Sequence, residues 1–340
     1  FAPRRPLELL VVVDAGRWSA ALPLVGRWLK GFLPAACLPF SPWWTSGELL
    51  LDPDSDRPAA LDRLMLGFAG LKRPLVWLDA VRFTAPRWQA LIAAAKRANM
   101  PCGIQPQGAV GQVEIEHDWE AYQGRWSKGH RRKMRNARRK AEAAGGVQFR
   151  LYDQLQPHEV GPLVRAAFEL EHRGWKGAAG GSVLSQTGML EYYCEQGRRL
   201  AAAGCLQLAF LEHRGAPIAF EFGLAAKGVY FSYKVGYDER FAELTPGQLL
   251  RFQLLERFHS APERTLVDFA GPLAEATAKW STRAEPVGRL VIGAPTLAGR
   301  LLGQMHRGCR RRRTASSVMQ DVVIQPGARA HSPACAGHSS

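Results

Sequence analysis

Runs of alternating residues and residues at helical spacing divide the chain into strands and helices. "LELLVVVD" (7–14) is an apolar run of strand length, and the spacing behind it predicts a helix over "SAALPLVGRWLKGF" (19–32). In "GELLLDPDSDRPAALDRLMLGFAGL" (47–71) a short apolar run ends in an Asp/Ser/Pro turn and passes into an amphipathic helix. "PLVWLDAV" (74–81) predicts a strand, "PRWQALIAAAKRAN" (86–99) a helix, and "QVEIE" (112–116) a strand by its alternation. Together they predict an α/β layer over roughly the first 120 residues.

The basic segment "SKGHRRKMRNARRKAEAAGG" (127–146) follows, with Ser127 as N-cap and Gly145-Gly146 as the stop. Met134, Ala137, Ala141 and Ala144 form one narrow stripe able to rest on the protein while the arginines face outward. Next come a strand at 147–153, a helix at 158–177, a Gly-rich turn at 177–182 and a helix in "LEYYCEQGRRLAAAG" (190–204). Residues 206–238 alternate as three strands joined by turns at Arg214-Gly215 and Lys227-Gly228. The helix over 245–260 starts with Thr245 as cap and Pro246 at its first position. Strands at 264–271 and 287–294 complete the pattern, and periodicity ends near Arg300. The implied organisation is a first domain over 1–124, a basic connecting helix over 125–146, a second domain over 147–300, and a basic, disordered tail over 301–340.

Composition narrows the classes. With 340 residues, 46% of them hydrophobic and 22% charged, the chain can build two domain cores and is not a disordered protein. Its net charge of +15 makes an anionic partner plausible, but the excess is concentrated in the basic helix and in "HRGCRRRRTASS" (306–317). The six cysteines form no CxxC pair and have no histidine at metal-ligand spacing, so reduced thiols, no structural zinc and a cytoplasmic setting are the default expectations. No apolar run approaches the length of a membrane-spanning helix, and no G-x-S-x-G, GxxxxGK[ST] or HExxH pattern occurs.

Candidate chemistry gathers in the second half. A helix N-terminus offers unpaired N–H groups and a partial positive charge to a phosphate, and Gly247 keeps the second helical position clear of a side chain. Glu221 is an acid within the apolar strand "AFEFGL": buried, it would suit a general base; on the opposite side of the strand it would face solvent. Tyr230 and Tyr233 could donate a proton or simply pack. Asp268 ends a strand where ligands gather in α/β folds, or caps the following turn.

Three antiparallel strands, a loop, a strongly marked helix start and a further strand resemble the acetyl-CoA-binding core of GCN5-related N-acetyltransferases (GNAT). "ELEHRGWKGAAGGSVL" (169–184), "YFSYKVGYDERFAELTPGQLL" (230–250) and "VDFAGPLAEATAKWSTR" (267–283), together with the basic helix and the strand-helix first half, extend the resemblance to 7–295. The chain is similar there to the BioF2-like, or CelD/BcsL-type, acetyltransferases, relatives of the Fem peptidyltransferases. The resemblance implies an α+β fold of tandem GNAT-like units, with mixed, largely antiparallel sheets flanked by helices. It implies acetyl-CoA or another acyl-CoA as donor, held by Val235, Gly236, Thr245, Pro246, Gly247, Gln248 and Leu249. Glu221, Tyr233, Asp268 and Lys279 are the implied catalytic residues, and Lys279, followed by Trp280, would stabilise an oxyanion. Trp175, Lys176, Tyr230, Lys234 and Arg132 are the implied substrate-binding residues.

The expected activity is direct acyl transfer to an amine acceptor, either a small molecule or an amino-sugar or glycan precursor of envelope or exopolysaccharide synthesis. A Fem-like transferase using aminoacyl-tRNA and a catalytically silent binding protein are the alternatives. DNA is not expected as a partner, because no reading module accompanies the basic residues. Peripheral contact with a membrane through the basic tail remains open.

Overall fold

The computed structural model describes residues 6–39 and 48–303, with the side chain of Trp175 left out. In chain order the elements are β1 (Leu7–Asp14), β2 (Arg17–Leu29), β3 (Leu33–Cys37), β4 (Leu50–Leu51), α1 (Arg57–Gly70), β5 (Leu75–Val81), α2 (Pro86–Arg97) and β6 (Cys102–Glu114). They continue with α3 (Trp119–Gly124), α4 (Lys128–Ala143), β7 (Gln148–Tyr152), α5 (Pro157–Arg173), α6 (Trp175–Ala178) and α7 (Met189–Ala202). The last are β8 (Leu206–His213), β9 (Ala216–Ala226), β10 (Val229–Tyr237), α8 (Pro246–His259), β11 (Leu266–Pro272), α9 (Glu275–Ala278) and β12 (Arg283–Gly293). The fold is the expected mixed, largely antiparallel sheet flanked by helices.

The chain forms two compact units that interleave along the sequence. The first contains residues up to Glu114, Phe222–Lys234 and the chain from Leu266; the second contains Ile115–Glu221 and Val235–Thr265. In the first unit the strands run β1-β2-β3-β5-β12-β6-β11 and on to the first part of β10, with β4 paired to β2. Only β3/β5 and β10/β11 of these pairs are parallel, and the latter spans three rungs, Val229↔Leu266 to Phe231↔Asp268. Leu61, Leu64 and Phe68 of α1 and Trp88, Leu91 and Ala95 of α2 cover one face over Leu22, Leu24, Val76, Leu78 and Ile292. Burying a leucine or phenylalanine there is worth about 1.5–3 kcal/mol each.

The expected helix over 19–32 is a strand, β2. Ala15 and Gly16 both adopt positive φ (46° and 78°), the requirement of a tight hairpin, and Pro23 and Gly26 oppose a helix where a strand can place them. The strand expected at 112–116 is the end of a longer one, β6, whose earlier part is concealed in sequence by Pro106, Gly108 and Gly111. The turns at Arg214-Gly215 (φ 51° and 76°) and Lys227-Gly228 (φ 51° and 79°) have the expected geometry.

In the second unit α5 packs on α7, and β7 pairs antiparallel with β8. The helix expected over 158–177 is two, α5 and α6, parted at Gly174 (φ −90°, ψ −176°). The basic helix α4 is capped by Ser127, whose hydroxyl accepts the His130 N–H at 3.1 Å. His130 joins Met134, Ala137 and Ala141 on its buried stripe. Trp119, Tyr122 and Trp126 of the α3 region gather against Phe252 and His259 of α8. Residues 297–303 are helical, and the rest of the expected tail lies outside the described residues.

Candidate functional site

In the second unit, the end of β10 and the start of α8 come together. Thr245 holds the N-cap position, but its side chain makes no capping bond: its backbone is left-handed (φ 52°, ψ 51°). For a β-branched residue this conformation is an outlier, at a cost of roughly 1–2 kcal/mol. The bend turns the Thr245 carbonyl toward the helix, where it accepts the N–H groups of Gln248 at 2.9 Å and Leu249 at 3.2 Å. Pro246 has no N–H to offer, so the Gly247 amide is the open donor at this helix start.

A Cβ placed on Gly247 would meet only Tyr237 Cδ1, at an ordinary contact distance of 3.7 Å, and the residue's φ is not positive. Neither packing nor backbone conformation therefore requires glycine there. Gly236 differs. A Cβ at that position would lie 2.5 Å from Phe220 Cε1 and 3.3 Å from Glu171 Cα, so this glycine serves close packing of the strand on α5. Pro246 and Leu249 are buried and anchor the helix, while Val235 is 39% exposed.

Beneath this strand end lies a polar cluster of which sequence reasoning named only Lys176, as a substrate-binding residue. Glu171, 2% exposed, accepts a hydrogen bond from Lys176 Nζ at 2.8 Å and another from the Val183 N–H at 2.9 Å. Lys176 Nζ also donates to the Val235 carbonyl at 2.9 Å. Asp238, 1% exposed, is bridged by Arg240 and lies 3.4 Å from Arg173, and the Arg240 hydrogen bonds hold its carboxyl below the usual aspartate range. A signal for Glu171 existed, because it continues the buried stripe of Val160, Val164 and Ala167.

Glu221 does not face solvent. It is 3% exposed, with Arg251 Nη2 3.9 Å from its Oε2, and this pair joins β9 to α8. Arg251, itself 8% exposed, stands among apolar neighbours on a helix buried nearly all round, which was its sequence signal. Arg132 lies on the outward face of α4, where Lys128, Arg132, Lys133, Arg135, Arg139 and Lys140 are all exposed. Among the described residues none of these six has a carboxylate partner.

The remaining expected residues other than Trp175 lie in the first unit. Asp268 is fully buried, in an ion pair with Arg82 at 2.5 Å and accepting from Gln112 Nε2 at 2.5 Å and the Ala270 N–H at 2.8 Å. Arg283 in turn donates to Gln112 at 2.7 Å, which links Asp268, Arg82, Gln112 and Arg283 in one network. Tyr230 is 1% exposed, and its hydroxyl end lies over Gly223, leaving no room for a Cβ there. Lys234 is buried, Tyr233 half-buried, and Lys279 exposed beside the buried Trp280. The side chain of Trp175 falls outside the described residues. Among the described residues no group of His, Cys, Asp or Glu could hold a metal ion, and no helix is long and apolar enough to cross a membrane.

Residues 128–279 match the family model of an acetyltransferase (GNAT) domain. Among solved structures the chain is similar to FemX, at 10% identity over 88% of this chain and 90% of that one, with a TM-score of 0.58. It is also similar to the C-terminal domain of a proposed lysylphosphatidylglycerol synthetase from Agrobacterium fabrum, at 12% identity over 88% of each chain, with a TM-score of 0.53. A conserved protein of unknown function from Bacteroides thetaiotaomicron gives 11% identity over 81% of this chain and 83% of that one, with a TM-score of 0.51. No curated protein matches the chain. At these identities the structural likenesses speak for the fold, and the acetyltransferase (GNAT) domain matched over residues 128–279 supports an acyltransferase enzyme.

Proposed function

We propose that this acyltransferase moves an acyl group, most simply acetyl, from acyl-CoA to an amine, in the manner of the BioF2-like enzymes. The observation that carries the reading is Gly247: a glycine that neither packing nor conformation demands, presenting an open amide at the start of α8 behind a strained Thr245. Such a helix start suits a pyrophosphate. Thr245, Gly247 and Gln248 would hold the phosphates, and the backbone of Val235 and Gly236 the pantetheine arm. Acyl-CoA supplies an activated thioester carbonyl. Glu221 with Arg251, and Asp268 with Arg82, would serve as framework for their strands. The acceptor is taken to be an amino sugar or a related envelope precursor, and the cytoplasm the setting.

Thermal unfolding with and without acetyl-CoA tests this reading. At a hundredfold excess over its dissociation constant the ligand should stabilise the protein by about 2.7 kcal/mol. Gly247→Glu, which sets a carboxylate where phosphate would lie, should abolish that gain. No shift for the native protein at saturating acetyl-CoA sinks the proposal.

A second reading, Fem-like transfer from aminoacyl-tRNA, is favoured by exposed cations of α4, Arg132 among them, that have no carboxylate partner among the described residues. A polyanion is the partner such a face suits. Stabilisation by tRNA without any response to acetyl-CoA would select it.

A further inference from the structure

The Trp175-Lys176 pair sits where α5 ends and α6 begins, and that corner grips the end of β10. Four contacts follow one another along it. Glu171 lies under Gly236, where a Cβ would come 3.3 Å from its Cα. Arg173 lies 3.4 Å from Asp238. A Cβ on Gly174 would be 3.0 Å from the Tyr237 carbonyl oxygen. Lys176 donates to the Val235 carbonyl at 2.9 Å.

Two of these contacts are close backbone approaches, each at a glycine. Lys176 differs because its hold is adjustable: an ammonium on a flexible stem reaches a strand carbonyl only if something fixes the stem. The Glu171 carboxylate does so at 2.8 Å, and is itself fixed by the Val183 N–H. With two of its three donors committed within the protein, Lys176 is poorly placed to act as an acceptor ligand. Its effect falls instead on the strand end whose far terminus, Tyr237, touches the Gly247 position.

We propose that Lys176 is a positioning residue of the donor site. Held by Glu171, it fixes the Val235 carbonyl and so aims the backbone of Val235–Tyr237 at the pantetheine arm of acyl-CoA. The inference rests on the acyl-CoA reading above. It separates two parts of the donor, because the phosphates belong to the α8 start and the pantetheine to the strand end that Lys176 governs.

The experiment is calorimetric titration with two probes, CoA and adenosine 3′,5′-bisphosphate, which lacks the pantetheine arm. Lys176→Met is compared with the double variant Glu171→Gln/Lys176→Met, which leaves no uncompensated buried carboxylate and guards against simple misfolding. The expected result for either variant is CoA affinity lowered about tenfold, the effect of one well-placed hydrogen bond of roughly 1.4 kcal/mol. Affinity for the bisphosphate should stay within about twofold of the native value. Unchanged CoA affinity overturns the inference. Parallel loss of both probes also overturns it, because that marks a general structural role. If the native protein binds neither probe, the acyl-CoA reading itself has failed.

Discussion

Glu221 and Arg251 face one another inside the second unit, carboxylate to guanidinium at 3.9 Å, each less than a tenth exposed. Removing one member takes a countercharge away from the other in the interior, at a cost of up to about 3–5 kcal/mol. Glu221→Gln should therefore lower the urea midpoint strongly, while Glu221→Leu/Arg251→Met should recover most of the loss. A catalytic base would behave otherwise: its amide variant would stay stable and lose only turnover.

Thr245 gives the opposite expectation. Its side chain caps nothing and its backbone is left-handed, so Thr245→Gly removes strain without removing a bond. Glycine's greater freedom in the unfolded chain offsets part of the gain, leaving a stabilisation of the order of 1 kcal/mol. Thr245→Val, which keeps the branched Cβ, should give none. Differential scanning calorimetry of the three proteins checks the order.

His259 confers an acid sensitivity. It is 3% exposed, stacked on Tyr122 at 4.8 Å, with Nδ1 donating to the Leu255 carbonyl at 2.8 Å and Nε2 buried without a partner. Burial pushes its pKa below the ordinary histidine value, the Leu255 bond opposes that, His117 adds to it, and Glu116 and Asp118 act against it. The unfolded chain thus takes up a proton near pH 6.5 before the folded one does. This contribution to stability is complete above about pH 6.5 and is lost as pH falls toward the lower folded value. Urea midpoints between pH 8 and pH 5 should decline in that window, and His259→Phe, which keeps the ring stack, should flatten the decline.

The cationic face of α4 yields a slope. If Lys128, Arg132, Lys133, Arg135, Arg139 and Lys140 meet tRNA phosphates, log K should fall with log salt at a slope between about −4 and −5. Replacing Arg132, Arg135 and Arg139 by alanine should remove roughly half of that slope and leave the melting temperature unchanged, because those side chains are exposed. A slope near zero for the native protein denies α4 this role.

Periodic elements of the chain were legible in sequence wherever local chemistry agreed with the fold. The stripe of α4, both hairpin turns of β8–β10 and the Pro246 start of α8 are examples. β2 was misread because "SAAL" and "GRWL" have helical composition, and its strand character depends on pairing with β1 and β3, which no window contains. In the candidate site, Gly247 could be picked out, but the reason for Gly236 could not: its neighbours Phe220 and Glu171 come from other elements. The same holds for Asp268, whose partners Arg82 and Gln112 lie more than 150 residues earlier in the chain.

Strand β6 pairs with β11 on one side and β12 on the other, and both follow it by about 150 residues or more. During synthesis it therefore emerges with two bare edges and waits for its neighbours at the end of the chain. At roughly 5–20 residues per second that interval is of the order of ten seconds or more. An unpaired strand in a half-made protein invites other chains to pair with it. Yield in the cell should thus depend less on the stability of the finished enzyme than on chaperones that shield this strand, and slow translation of the last third should cost soluble protein.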